Sequence, residues 1–149
     1  RHHGTDPRHF LWHTHQFPEL PSMLVFERGL RDMLRRLPGR KIVFSNAPAH
    51  YSRAVLKAMG ILDLFADVYT VEHTRLRPKP AAFGFRRILR EQRARPQRCV
   101  MVEDTLENLR TAKRLGMGTV WVTRGRRSPA FVDARIRSVL QLRRAVNKL

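Results

Sequence analysis

Apolar positions along the chain alternate between two periods. Phe26, Leu30, Met33, Leu34 and Leu37 recur at helical spacing with arginines on the other face, and Pro38-Gly39 stops the run, which predicts an amphipathic helix over 26–37. Ile42-Val43-Phe44 is a short continuous apolar run of the buried parallel-strand kind, ended by the turn formers Ser45 and Asn46. A helix through Val55, Leu56 and Met59 follows, closed by Gly60 as its C′ residue. Val68 to Val71 predicts a second strand, Arg77-Pro78-Lys79-Pro80 a stiff loop, and Phe83, Ile88 and Leu89 the next helix. Cys99-Val100-Met101-Val102 predicts a third buried strand. Asp104, with Glu107 three residues on, gives a capping-box-like start to a helix through Leu109 and Ala112 that Gly116 ends. Thr119 to Val122 is a fourth strand, and Val139-Leu140 a short fifth before a basic C-terminal helix. Strands separated by helices are the pattern of an α/β protein with a parallel sheet.

Composition narrows the class. A chain of 149 residues predicts one domain around a single core, and 42% hydrophobic with 28% charged residues argues against disorder. No apolar run approaches the length of a membrane-spanning helix. The lone Cys99 excludes an intramolecular disulfide and favours a reducing, cytoplasmic setting. The net charge of +18 permits non-specific binding to polyanions, but 25 of the 30 basic residues are Arg and they are spread through nearly every segment, which reads as compositional bias rather than a nucleic-acid stripe. Against that background, Glu103, Asp104 and Glu107 gather three of the twelve acids within five residues.

In open parallel sheets, sites lie beyond the carboxyl ends of the strands. Ser45 and Asn46 follow the first strand, Lys79 lies in the loop after the second, and Glu103 and Asp104 end the third. A hydroxyl with backbone amides, an ammonium and a carboxylate pair suit a phosphate with a divalent cation. Read singly, each residue has a plainer role: Ser45-Asn46 or Asp104 as a helix N-cap, Lys79 as a solvated lysine. His2-His3 and His13-Thr14-His15 lack a nearby carboxylate or Cys partner and read as polar surface. Phe10, Leu11, Trp12 and Phe17 read as the apolar face of a helix, and Cys99 as a small core residue.

Phe44-Ser45-Asn46-Ala47, Arg77-Pro78-Lys79-Pro80 and Val102-Glu103-Asp104-Thr105-Leu106-Glu107-Asn108-Leu109 resemble, in order and spacing, motifs II, III and IV of haloacid dehalogenase (HAD) superfamily phosphohydrolases. The Gly60-Ile61 and Leu64-Phe65 segment and Ala112-Lys113-Arg114-Leu115-Gly116-Met117 carry the likeness from about Leu24 to Val122. Ser-Asn-Ala and the acid pair followed by Asn108 look most like the pyrimidine 5′-nucleotidase-like branch. The resemblance implies a Rossmann-like core with a parallel sheet. It also implies that Ser45 and the Asn46 amide bind the transferring phosphoryl group and that Lys79 neutralises its charge. Asp104 would ligate Mg²⁺ with Glu103 in or near its outer shell, and Asn108 would brace the loop.

One departure matters. The family's nucleophile comes from a first motif, Asp-x-Asp-x-Thr or Val, at the end of an N-terminal strand, and no Asp-x-Asp occurs in this sequence. In the family that strand is central, between the strands carrying motifs II and IV. Its loss opens a gap of about 10 Å at about 4.8 Å per strand. The chain is therefore expected to be a fragment lacking its first central strand, with 1–22 the remnant of a helical cap and 23–149 the HAD-like core. The resemblance implies that its intact parent hydrolyses a nucleotide-like phosphate monoester, first of all a pyrimidine nucleoside 5′-monophosphate, with Mg²⁺ and through an aspartyl-phosphate intermediate, while the chain as given would be inactive. Two alternatives stand beside this: a phosphatase or phosphomutase for small sugar phosphates, and an inactive basic remnant that binds nucleic acid or another polyanion.

Overall fold

A computed structural model describes residues 28–149; the expected cap segment 1–22, with its histidines and aromatic residues, lies outside them. The described residues form two compact units, residues 40–76 and residues 28–39 with 77–149.

In the first unit, β1 (Ile42–Phe44) pairs in parallel with β2 (Asp67–Tyr69), Ile42 opposite Asp67 and Phe44 opposite Tyr69. Between them runs α2 (Ala49–Ala58). Its end is set by Gly60, whose positive φ of 66° lets the chain reverse. There the Gly60 N–H donates to the Lys57 carbonyl at 2.9 Å and the Ile61 N–H to the Leu56 carbonyl at 3.0 Å. Leu56 and Ile61 are both buried, which supplies the apolar contact that usually accompanies this cap.

The second unit holds α1 (Leu30–Arg36), α3 (Ala82–Glu91), β3 (Val100–Glu103), α4 (Leu106–Arg114), β4 (Gly118–Val122), β5 (Ala134–Ile136) and α5 (Leu142–Val146). The three strands form a parallel ladder in the order β3-β4-β5, with Glu103 opposite Trp121 and Val122 opposite Ile136. α4 packs on β3 and β4. Its spacing puts Leu109 and Ala112 on one face, and both are fully buried with Val120 of β4, while Phe85, Ile136 and Leu142 are nearly so. Burying a side chain of this size contributes about 1.5–3 kcal/mol. Gly116, at a φ of 88°, ends α4 as Gly60 ends α2.

The chain departs from the sequence pattern in three places. The fifth strand is Ala134–Ile136, and Val139–Gln141 is a 3₁₀ turn whose start is capped by Ser138 Oγ accepting the Leu140 N–H at 3.1 Å. Ala134, Arg135 and Ile136 hold the register against β4, so the apolar pair at 139–140 has no ladder to join. β1 and β3, expected as fully buried strands, are half-buried, and among the described residues each has a ladder partner on one side only. α4 starts one residue later than the capping-box reading: Thr105 is the N-cap and makes no side-chain cap bond. Among the described residues no helix is long and apolar enough to cross a membrane.

Candidate functional site

A polar cluster of the second unit stands where β3 ends. Glu103, the last residue of that strand, accepts at Oε2 from Lys79 Nζ at 2.6 Å and from Asn108 Nδ2 at 2.9 Å. Its Oε1 accepts the backbone N–H of Asp104 at 3.1 Å and of Thr105 at 3.4 Å. One carboxylate therefore gathers the loop before α3, the first turn of α4 and the β3–α4 turn. The Lys79 side chain is only 9% exposed and that of Glu103 11%, so the plainer reading of Lys79 as a solvated surface lysine is overturned. An ion pair this enclosed is screened far less than a surface pair. The loop holding Lys79 is tied down from α4, where Thr111 Oγ1 donates to the Pro80 carbonyl at 2.8 Å. Next to it Arg77 lies over the Phe83 ring, 5.3 Å from its centroid.

Asp104 is exposed and held differently. Thr105 Oγ1 donates to its Oδ1 at 3.2 Å, and Trp121 Nε1 donates to its carbonyl at 2.9 Å. The two neighbouring carboxylates push each other's pKa apart. Burial works against ionising Glu103, but hydrogen bonding with Asp104, the Lys79 ammonium and the Asn108 amide outweigh it and lower its pKa to about 2. Asp104 rises, because a proton held between it and Glu103 is favoured and because burial adds to the effect. A cation at Asp104 would remove that conflict. The donor set suits a hard ion such as Mg²⁺, which takes oxygen ligands, often one or two carboxylates, and keeps several waters. Among the described residues no cluster of three or more His, Cys, Asp or Glu could enclose a metal.

In the first unit, Ser45 and Asn46 follow β1. The Ser45 N–H donates to the Tyr69 carbonyl at 2.9 Å, and Ser45 Oγ accepts the Ala47 N–H at 3.0 Å. This is a turn within the loop. The helix proper begins at Ala49 after Pro48, so Ser45 and Asn46 are not its N-cap. That role falls to Glu72, whose two carboxylate oxygens accept the Ala49 N–H at 3.0 and 3.2 Å. The fully buried Thr70 donates its hydroxyl to Glu72 at 2.6 Å, and its N–H to His73 Nδ1 at 3.1 Å. Burial opposes ionising Glu72, yet the Thr70 and Ala49 hydrogen bonds prevail and hold its pKa below the usual value.

Sequence reasoning missed Trp121, Thr111 and the Thr70–Glu72–His73 group. Trp121 had a signal: an aromatic N–H at the end of β4, opposite the residue before Asp104. Glu72 had one too, as a lone acid just after a strand in an acid-poor chain. Thr111 had none. Cys99 precedes β3, half-buried, its Sγ donating to the Arg95 carbonyl at 3.3 Å, and burial raises its pKa. That agrees with a packing role.

Comparisons bear on the whole. Residues 17–116 match the haloacid dehalogenase-like hydrolase family. A HAD phosphatase from Thermococcus onnurineus is similar at 30% identity and a TM-score of 0.67, covering 77% of this chain and 54% of its own. The L-2-haloacid dehalogenase of Xanthobacter autotrophicus, solved with chloropropionic acid covalently bound, shares the fold at 17% identity and a TM-score of 0.72, over 82% of this chain and 61% of its own. YfnB of Bacillus subtilis, described as a HAD-hydrolase and solved bound to magnesium, does so at 19% identity and a TM-score of 0.72, over 81% of this chain and 56% of its own. The chain thus spans between 54% and 61% of the length of these solved proteins. No curated protein matches it.

Proposed function

The chain belongs to the haloacid dehalogenase-like hydrolase family, and on that premise we propose that it is the motif II to IV part of a Mg²⁺-dependent phosphate-monoester hydrolase of the pyrimidine 5′-nucleotidase-like kind. The observation that carries this reading is the enclosed Lys79–Glu103 pair beside an exposed Asp104 at the carboxyl end of β3. Glu103 aims the lysine, so that its ammonium charge is held in place for phosphate oxygens. Asn108 and the Asp104 and Thr105 amides hold Glu103 still, so the ammonium is preorganised where charge would develop. The family resemblance assigns phosphoryl binding to Ser45 and Asn46 as well; in its own unit Ser45, its Oγ accepting from Ala47, keeps a hydroxyl proton to donate. Asp104 would hold Mg²⁺ directly and Glu103 would steady it from the outer shell; when bound, the ion offsets phosphate charge and orients the ester.

The group that accepts the phosphoryl in this family is absent from the chain, since the sequence has no Asp-x-Asp. The reading that a strand carrying it is missing is compatible with β1 and β3 each having one ladder partner among the described residues. Such a strand would supply the attacking carboxylate and the acid-base Asp. The unpaired Cys99 thiol is compatible with a reducing, cytoplasmic setting.

The test is phosphate release from CMP, UMP and an aryl phosphate with Mg²⁺, on this chain and on one extended upstream through an Asp-x-Asp strand. Activity confined to the extended form and abolished by Lys79→Ala or Asp104→Ala is the expected result. Metal-dependent turnover by the chain alone would overturn the nucleophile argument. Silence from both forms would favour a polyanion-binding remnant.

A further inference from the structure

Beyond Asp104, the same edge of the second unit carries arginines that the phosphoryl chemistry leaves unused. β3, β4 and β5 run parallel and in register, so the residues that follow them, Asp104, the 123–127 segment and Arg137, leave the sheet at one edge. The segment reads Thr123-Arg124-Gly125-Arg126-Arg127, and between Arg124 and Lys148 eight basic residues stand against a single acid, Asp133. That acid is taken by Lys113 at 2.5 Å. Arg124, Arg126, Arg127, Arg135 and Arg137 are all exposed. Among the described residues Arg124, Arg126, Arg127 and Arg137 form no salt bridge.

Contacts fix this segment against the site. The Thr123 N–H donates to the Ile136 carbonyl at 2.8 Å and the Gly125 N–H to Thr123 Oγ1 at 3.1 Å, while Arg135 reaches from β5 to donate to the Gly125 carbonyl. A methyl group at Gly125 would lie 3.9 Å from Trp121 Cη2, and the same indole donates to the Asp104 carbonyl. One tryptophan ring therefore stands between the arginine segment and the loop presenting Asp104. Guanidinium groups with free donors bind phosphate through paired hydrogen bonds, and over one ring's width salt screens them little.

We propose that this edge is a second anion subsite, and that the ligand of the Lys79–Asp104 site carries a second phosphate besides the one to be cleaved, as a nucleoside bisphosphate does. The inference rests on the phosphoryl-site reading above and deepens it. Loss of Arg126 and Arg127, which follow Gly125, would remove the preference for the doubly phosphorylated ligand without touching Lys79 or Asp104.

The experiment is calorimetric titration of the full chain, in Mg²⁺, with cytidine 3′,5′-bisphosphate and with CMP. The bisphosphate is expected to bind about tenfold more tightly, the worth of one added charge-assisted contact. Arg126→Gln with Arg127→Gln should bring the two ligands to equal affinity. Arg95→Gln with Arg98→Gln removes the same charge just before β3, at the opposite edge, and should keep the preference. Equal affinity for both ligands in the unaltered chain, equal loss in both double variants, or no bisphosphate binding at millimolar concentration would each overturn the proposal. The underlying reading is scored separately by Lys79→Ala: weakened binding of both ligands supports it, and unchanged CMP binding sinks it while the dependence on Arg126 and Arg127 still reports on the subsite.

Discussion

Two strand-end loops, one in each unit, are anchored by a glutamate and yet differ in what that glutamate holds. Glu72, just after β2, reaches across to the loop that follows β1 and accepts from the Ala49 amide and the Thr70 hydroxyl, its charge facing the amino end of α2. After β3, Glu103 holds an ammonium as well as an amide side chain and two backbone N–H groups. The first arrangement fixes backbone. The second fixes a cation and, by crowding Asp104, prepares a place for another. In both loops the residue assigned chemistry is not the one with the most bonds: Ser45 and Asp104 are lightly held beside a heavily bonded glutamate. The firmly bonded carboxylate does the positioning, and the loosely bonded group keeps its valences for a ligand.

The largest effect expected from this contrast is on turnover. In the upstream-extended form, Asp104→Asn should lower kcat about a thousandfold, equivalent to about 4 kcal/mol of transition-state stabilisation, and flatten the Mg²⁺ dependence of phosphate release. Ser45→Ala should lower it by about a hundredfold at most, as the loss of one hydrogen-bond donor does. Equal losses would erase the distinction between a loop that manages charge and one that only donates hydrogen bonds.

Stability should divide the two glutamates next. Glu103→Leu removes the counter-charge that Glu103 gives the enclosed Lys79 and should destabilise the chain by about 3–5 kcal/mol, read as a lower urea midpoint. Adding Lys79→Met should return most of that loss, since removing both partners of an enclosed pair is milder than removing one. Glu72→Ala should lose about 1–2 kcal/mol, the size of a helix N-cap with its dipole contribution, and no second substitution of a cation should restore it. A Glu72→Ala loss as large as that at Glu103 would mean charge is not what separates the loops.

Much of this organisation was legible from residue pattern. Gly60 and Gly116 mark helix ends because only a residue without Cβ turns left-handed there at little cost, and both are found at φ above 60°. Leu109, Ala112 and Val120 were readable as core from their period. The three motif loops were readable as strand ends, but the pairing of Lys79 with Glu103 was not, since it joins side chains 24 positions apart. What was not legible depended on register. The fifth strand was misplaced because Ala134-Arg135-Ile136 is too short and too polar to stand out, and is a strand only because β4 offers it an edge. The capping role of Glu72 was hidden because it acts across 23 positions of sequence, where propensity carries no information. Ser45 looked like a cap for the same reason that it makes a local turn: a hydroxyl can accept a backbone N–H two or three residues on in either setting.

The smallest expected effect probes the far side of the second unit, where Asp133 and Lys113 form a pair unconnected with Asp104. Burial alone would raise the Asp133 pKa, but hydrogen bonds from the Lys113 ammonium, the Thr119 amide and the Thr119 hydroxyl outweigh it and hold it below the ordinary value. A carboxyl whose folded pKa is depressed contributes stability that is fully present above its unfolded value and lost as pH falls through the folded one. The window therefore opens near pH 4, the ordinary aspartate value, and extends downward. The side chains are 40% and 27% exposed, so solvent screening limits the ion pair to a fraction of what Glu103 and Lys79 achieve. Lys113→Met should cost about 0.5–1 kcal/mol at pH 7, and that cost should fade as pH drops below about 4 and Asp133 takes up its proton. Half-molar salt should halve that difference while leaving the cost of Glu103→Leu nearly intact, because only the exposed pair lies within reach of the screening ions. If salt weakened both alike, the Lys79–Glu103 pair would be no more sheltered than a surface contact, and the contrast drawn between the two glutamates would reduce to the number of hydrogen bonds each accepts.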